Sequence, residues 1–256
     1  MIKPGTQSRP PGRAPEAEGG QMKKRWIATW GAMGVLLGGA GIVTDAMAAP
    51  GGGGCQLAGT AAFSPNGPGT ASTFSYGFTG ALSGCQSNVS GAPTTGSIGA
   101  GQVVTESVPL TITNPDGTTT TQQGTARYQQ PLATGTGSVP GNSCAAGSTS
   151  GTAVTTWADG TTDVISYTTQ SAGAAVQLQG TVVPSVTLSL VPGSASIAGA
   201  AAPPTFTVST TSPTFPVGDG AQGALTFQVA DPTQCSTATG VANAEINGVV
   251  GVGSTS

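Results

Sequence analysis

After Ala48 the sequence has no lysine and no histidine, and its only arginine is Arg127. Those residue types supply most general bases, imidazole metal ligands, phosphate clamps and nucleic-acid contacts, so their scarcity excludes most enzyme chemistries from residues 49–256. A serine nucleophile would find no histidine or lysine to activate it, which removes the common hydrolase triads and dyads. Arg127 stands against seven acids: Glu106, Asp116, Asp159, Asp163, Asp219, Asp231 and Glu245. That balance repels nucleic acid and anionic lipid, and neither is an expected partner.

The remaining basic residues lie near the N-terminus, where they have a different use. Met22-Lys23-Lys24-Arg25 precedes a mostly apolar stretch from Trp26 to Val43, and Ala46-Met47-Ala48 follows it. Charged, apolar and small-x-small segments in that order form a secretory signal, with cleavage expected between Ala48 and Ala49. The apolar stretch is just long enough for a retained membrane anchor, but its internal glycines and the Ala-x-Ala site favour cleavage. The expected organisation is a disordered extension over 1–21, upstream of a candidate start at Met22, a signal peptide over 22–48, a Gly-rich linker over 49–54 and one β-domain over 55–256. The protein is expected in the extracellular space or the cell envelope.

Four cysteines, Cys55, Cys85, Cys144 and Cys235, lie in the exported part and predict two disulfides. Three connectivities are open. Cys55 and Cys85 bracket two strand-like runs, QLAGTAAF and TFSYGFTGAL, separated by SPNGPG, which places both at the open end of one hairpin and leaves Cys144 with Cys235. Without histidine or a C-x-x-C spacing, a metal site is not expected, and no cofactor is implied.

Period-two alternation recurs along the body, as half-buried antiparallel strands require. From Ala174 to Leu190 every even position is apolar, Gly or Pro. At about 3.3 Å per residue that run is too long for one ordinary strand, so Gly180 or Pro184 should mark a bend between parts of the sheet. Further alternating runs cover Phe74–Leu82, Val104–Ile112, Leu225–Val229 and Ala242–Val252. Asp159-Gly160 between TAVTTWA and TTDVISYTT signals a hairpin; a two-residue turn would set Val154 opposite Ile165 and Thr152 opposite Tyr167. The stretch 193–204 lacks alternation and reads as a loop. The fold class expected is all-β, a single antiparallel barrel or a two-sheet sandwich with two disulfides.

The Cys55-Gln56-Leu57-Ala58-Gly59-Thr60 start, the segment from Phe78 to Cys85, the hairpin from Trp157 to Thr162 and the Gly248-Val249-Val250-Gly251 end together resemble a group of small secreted β-rich proteins of actinobacteria. That resemblance implies export and architecture, and supplies no catalytic residues.

Only carboxylate chemistry remains in reach. Asp159 and Asp163 are close in sequence and could form a glycosidase pair, although Asp159 is simply explained as a turn residue and Asp163 as a neighbouring strand residue. Glu106 shares its face with Val104, Val108, Leu110 and Ile112, so an ion pair with Arg127, folded back by the Asn114-Pro115-Asp116-Gly117 turn, is a structural possibility. No D-x-D-x-D-G calcium loop occurs, and Trp157 alone makes a poor carbohydrate platform. The expected function is a non-enzymatic structural or binding module whose partner is an extracellular or cell-wall glycan or protein. The alternatives are a carboxylate-dependent glycan hydrolase, or an envelope barrel that holds an apolar ligand or forms a pore.

Overall fold

The structure, a computed structural model, describes residues 52–64, 73–137, 146–172, 175–237 and 240–253. Among them the alternating runs form thirteen strands and no α-helix. In chain order these are β1 (Gly53–Ser64), β2 (Thr73–Ser87), β3 (Gly96–Ala100), β4 (Val103–Thr113), β5 (Thr119–Gln129), β6 (Ala133–Gly137) and β7 (Ala146–Trp157). They continue with β8 (Thr162–Ala172), β9 (Ala175–Val183), β10 (Ser185–Leu190), β11 (Thr205–Ser209), β12 (Gly220–Gln228) and β13 (Asn243–Gly253).

An eight-stranded antiparallel barrel runs β1, β2, β3, β7, β8, β9, β12, β13 and closes through the pairing of β13 with β1. Neighbours in space are neighbours in sequence except where two excursions interrupt the path. The first splits one strand slot: β3 pairs with Phe78–Leu82 of β2 and β6 with Thr73–Tyr76, while β4 and β5 leave between them as a hairpin. The second carries β10 and β11 out between β9 and β12. These two hairpins form a four-stranded sheet, β11-β10-β5-β4. Pro184 marks the switch from β9 to β10, as the broken alternating run requires, because proline cannot donate to a ladder.

Two apolar cores result. The barrel lumen is filled by inward residues including Leu57, Phe74, Tyr76, Phe78, Leu82, Trp157, Ile165, Tyr167, Leu225 and Ile246, with a cavity of about 40 Å³ lined by Phe78, Leu82, Trp157, Ile165 and Tyr167 among others. An eight-stranded barrel is just wide enough to be filled in this way. The second core holds Val108, Leu110, Ala126, Tyr128 and Leu188, and the loop between β10 and β11 folds over it through Ala195, Ile197, Ala200 and Ala202. The loop expected over 193–204 is therefore a lid on the smaller sheet. Outward barrel positions such as Gln56, Thr60, Thr79, Ser148, Thr168, Gln177, Gln179 and Thr226 are exposed and uncharged.

Three local expectations are corrected. The Gly-rich linker ends earlier than residue 54, because Gly53 and Gly54 already pair with Val252 and Gly251. The β7–β8 turn contains three residues, with Gly160 at φ 82° and its N–H bonded to Trp157 O, so Ala153 faces Ile165 and Val154 faces Val164. This is a type I turn followed by a left-handed glycine, which shifts the register by one from that of a two-residue turn. The inward face of β7 is consequently Gly151, Ala153, Thr155 and Trp157, not Thr152 and Val154.

Cys55 and Cys85 are bridged across the open end of the β1–β2 hairpin, with Cα atoms 4.1 Å apart, at a bulge where Gly84 and Cys85 together stand opposite Cys55. The second expected bridge is described at one end only: Cys235 is buried and is not a free thiol, and Cys144 lies outside the described residues. Replacing both Cys55 and Cys85 by serine is expected to lower unfolding free energy by about 2–4 kcal/mol through release of chain entropy in the unfolded state. Urea denaturation at constant m-value would measure it.

Candidate functional site

Three consecutive rungs across β2, β6, β7 and β8 border a cleft of about 700 Å³. One rung sets Thr73, Thr136, Ser148 and Gln170 side by side, and another sets Ser75, Thr134, Ser150 and Thr168. These eight side chains are hydroxyls except for one carboxamide, and no ionisable residue lines the cleft among the described residues. The rung between them contributes Phe74, Gly135, Thr149 and Thr169. Gly135 has no side chain because the Phe74 ring occupies that space, 2.4 Å from where a Cβ would stand.

A hydroxyl chain runs inward from this border. The Thr149 and Thr169 hydroxyls are 2.6 Å apart, Tyr76 OH is 2.8 Å from Thr149 Oγ1, and Tyr167 OH is 3.1 Å from Tyr76 OH. Burial raises the pKa of both phenols above the ordinary tyrosine range, so both stay neutral, as donors and acceptors only. The cleft can offer hydrogen bonds of either polarity but neither charge nor a nucleophile with a base.

The acids lie elsewhere. Asp116 and Asp159 accept from the backbone N–H and hydroxyl of the threonine two residues on, Thr118 and Thr161, and Asp231 treats Thr233 in the same way. Those hydrogen bonds hold the three carboxyls below the usual range. They are turn residues, as their Asp-Gly or Asp-Pro setting suggests. Among the described residues no group of three or more His, Cys, Asp or Glu side chains could hold a metal ion.

Glu106 and Arg127 come from adjacent strands but project from opposite faces of the smaller sheet, since Glu106 stands opposite Ala126 and Arg127 opposite Thr105. The turn does fold β5 back beside β4, yet the side-chain parity separates the charges. Glu106 is half-buried on the core face, where burial raises its carboxyl and its charge acts on Tyr128. Arg127 is exposed. The possible ion pair is therefore set aside.

Asp163 is the residue whose setting the sequence concealed. Its exposure is 0 %, its Oδ2 accepts a 2.5 Å bond from the Trp157 indole N–H, and its Oδ1 has no partner. Burial pushes its carboxyl up to about 6, assisted by the charges of Asp159 and Asp219 and opposed by the indole bond. With the one-residue register shift, Asp163 faces inward opposite buried Thr155. Trp157 is likewise buried, its ring centroid 5.3 Å from that of Phe215 at a 37° tilt, and is no exposed sugar platform. A carboxyl sealed in this way cannot meet a glycosidic bond, so Asp159 and Asp163 do not form an accessible acid–base pair.

Compared with known proteins, the sequence matches no family model, no curated protein and no solved structure.

Proposed function

We propose that this chain is an exported, non-enzymatic β-barrel module that binds a neutral, hydrogen-bonding ligand of glycan type at the hydroxyl-lined cleft. The observation that carries the reading is the cleft's chemistry: a space of about 700 Å³ bordered by Thr, Ser and Gln side chains together with Phe74 and Gly135, with no ionisable group among its described lining residues. Neutral polyols exchange hydrogen bonds with such groups at little electrostatic cost, whereas ions would leave water uncompensated. Export is supported by the signal-like segment 22–48, by the resemblance to secreted actinobacterial β-proteins and by the Cys55–Cys85 bridge, which suits an oxidising compartment. The filled lumen and polar outer positions favour this reading over a pore or a lipid-facing barrel, whose outer face must be apolar.

The test is a panel of soluble and cell-wall glycans offered to the purified protein, with binding and product formation measured together. Saturable binding without turnover is expected, weakened at least tenfold by Thr134→Val with Ser150→Ala; a released product would overturn the non-enzyme reading. N-terminal sequencing of the extracellular protein should start at Ala49. Mapping without reduction should join Cys144 to Cys235, using a protease other than trypsin because Arg127 is the only tryptic site after Arg25.

A further inference from the structure

We propose that the segment Thr210–Asp219 is an acid-set latch over one end of the barrel, held shut while Asp163 is neutral and loosened when Asp163 ionises and has to be hydrated. The segment links β11 to β12, and its hydrogen bonds to the barrel sit at its two ends. At one end Thr211 and Ser212 donate their N–H groups to Thr162 O, and Thr210 Oγ1 donates to Val183 O. At the other, Gly218 N–H donates to Val182 O and Val182 N–H donates to Asp219 O. Between them Phe215 provides the grip: it is buried, its ring packs at a tilt against Trp157, and it lies 2.9 Å from where a Cβ on Gly53 would be.

Trp157 joins the latch to the titrating group, because the indole that supports Phe215 also donates to Asp163 Oδ2. Two buried polar atoms at this end lack partners, Asp163 Oδ1 and Ser212 Oγ, the second on the latch itself. The charged groups acting on Asp163 are Asp159 from the β7–β8 turn and Asp219 from the latch, both negative. No cation answers them: Arg127, the one basic residue among the described ones, is exposed on β5. A neutral Asp163 turns one carboxyl oxygen into a donor and removes the repulsion from Asp219. An ionised Asp163 has a single N–H donor and needs water, which reaches it when the latch lifts from Ser212 to Gly218, breaking the end contacts of those two amides. Burial keeps the Asp163 proton to about pH 6, and burial also raises Asp219, so the change falls in mildly acidic conditions.

Hydrogen exchange of the full chain, corrected for intrinsic rates, reads the latch through the Ser212 and Gly218 amides. Their protection should fall about tenfold from pH 5 to pH 7.5 while that of the β4–β5 hairpin holds. Acrylamide quenching of Trp157, in a chain carrying Trp26→Phe and Trp30→Phe, should rise over the same range. Asp163→Asn should keep the latch protected at both pH values, and Asp219→Asn should move the midpoint down, which keeps the test decisive if the first variant does not fold. Equal protection at pH 5 and 7.5, or a transition unchanged by these variants, would overturn the proposal.

Discussion

Gly59→Ala is expected to destabilise the barrel by about 3 kcal/mol or more, the largest effect of any single added methyl in β1. Gly59 stands opposite Gly80 in the β1–β2 ladder, and a Cβ there would lie 2.3 Å from Thr79 O and 2.7 Å from Gly80 Cα. Both atoms are backbone, so no rotamer change relieves the contact. β1 also pairs with β13 on its other edge, through Gly59 opposite Ile246, which denies it room to move away. Gly160→Ala is the informative comparison: its φ of 82° strains an alanine, but nothing lies within 4 Å of the added Cβ. It should cost only about 1–2 kcal/mol, the left-handed backbone penalty alone. Chemical denaturation of both variants separates the two causes; equal losses would show that close approach at Gly59 is relieved by local movement.

The same pair of glycines shows what was legible in the chain. Alternation placed the strands, and the inward residues Phe74, Tyr76, Phe78, Leu82, Leu225 and Ile246 follow the expected parity. Closure was not legible, because the pairing of β1 with β13 joins residues far apart in the sequence and leaves no local mark beyond small residues where strands crowd. Nor could local pattern reveal that β3 and β6 share one strand slot, since GSIGA and ATGTG are too short and too rich in glycine to carry an alternating signal. Arg127 was misplaced for a simpler reason: proximity in a hairpin does not set the face, and a shift of one residue decides it. The cleft is assembled from threonines and serines of four strands, a composition that recurs over the whole exterior and therefore carries no motif. Asp163 was hidden by the register of one turn. Phe215 lies between Pro213 and Val217 in a segment without periodicity, so nothing local announces that it seals the barrel.

The second large effect concerns pH. Stability should be greatest in mild acid and should fall by about 3 kcal/mol in all as pH rises from below about 4 through about 6, levelling off above about 7. Asp163 titrates near its ordinary value when unfolded, but burial raises it to about 6 in the fold. Between those values the folded state binds the extra proton, so raising the pH favours unfolding, and once both states are ionised no further change arises from this group. Asp219 and Glu106, also raised by burial, act in the same direction. Asp116, Asp159 and Asp231 act oppositely, because turn hydrogen bonds lower them; their contribution is lost only at pH below the unfolded carboxylate range. For a domain of this size the part of the Asp163 effect that lies between pH 4.5 and pH 7, about 2 kcal/mol, corresponds to a melting temperature roughly 4–8 °C higher at pH 4.5 than at pH 7. Asp163→Asn retains an acceptor for the Trp157 indole but cannot ionise, so it should flatten most of the profile and leave the smaller slope of Asp219 and Glu106. A melting temperature that rises steadily from pH 4.5 to pH 7 in the native chain would reverse the sign and show that Asp163 ionises in the fold with partners that stabilise its charge.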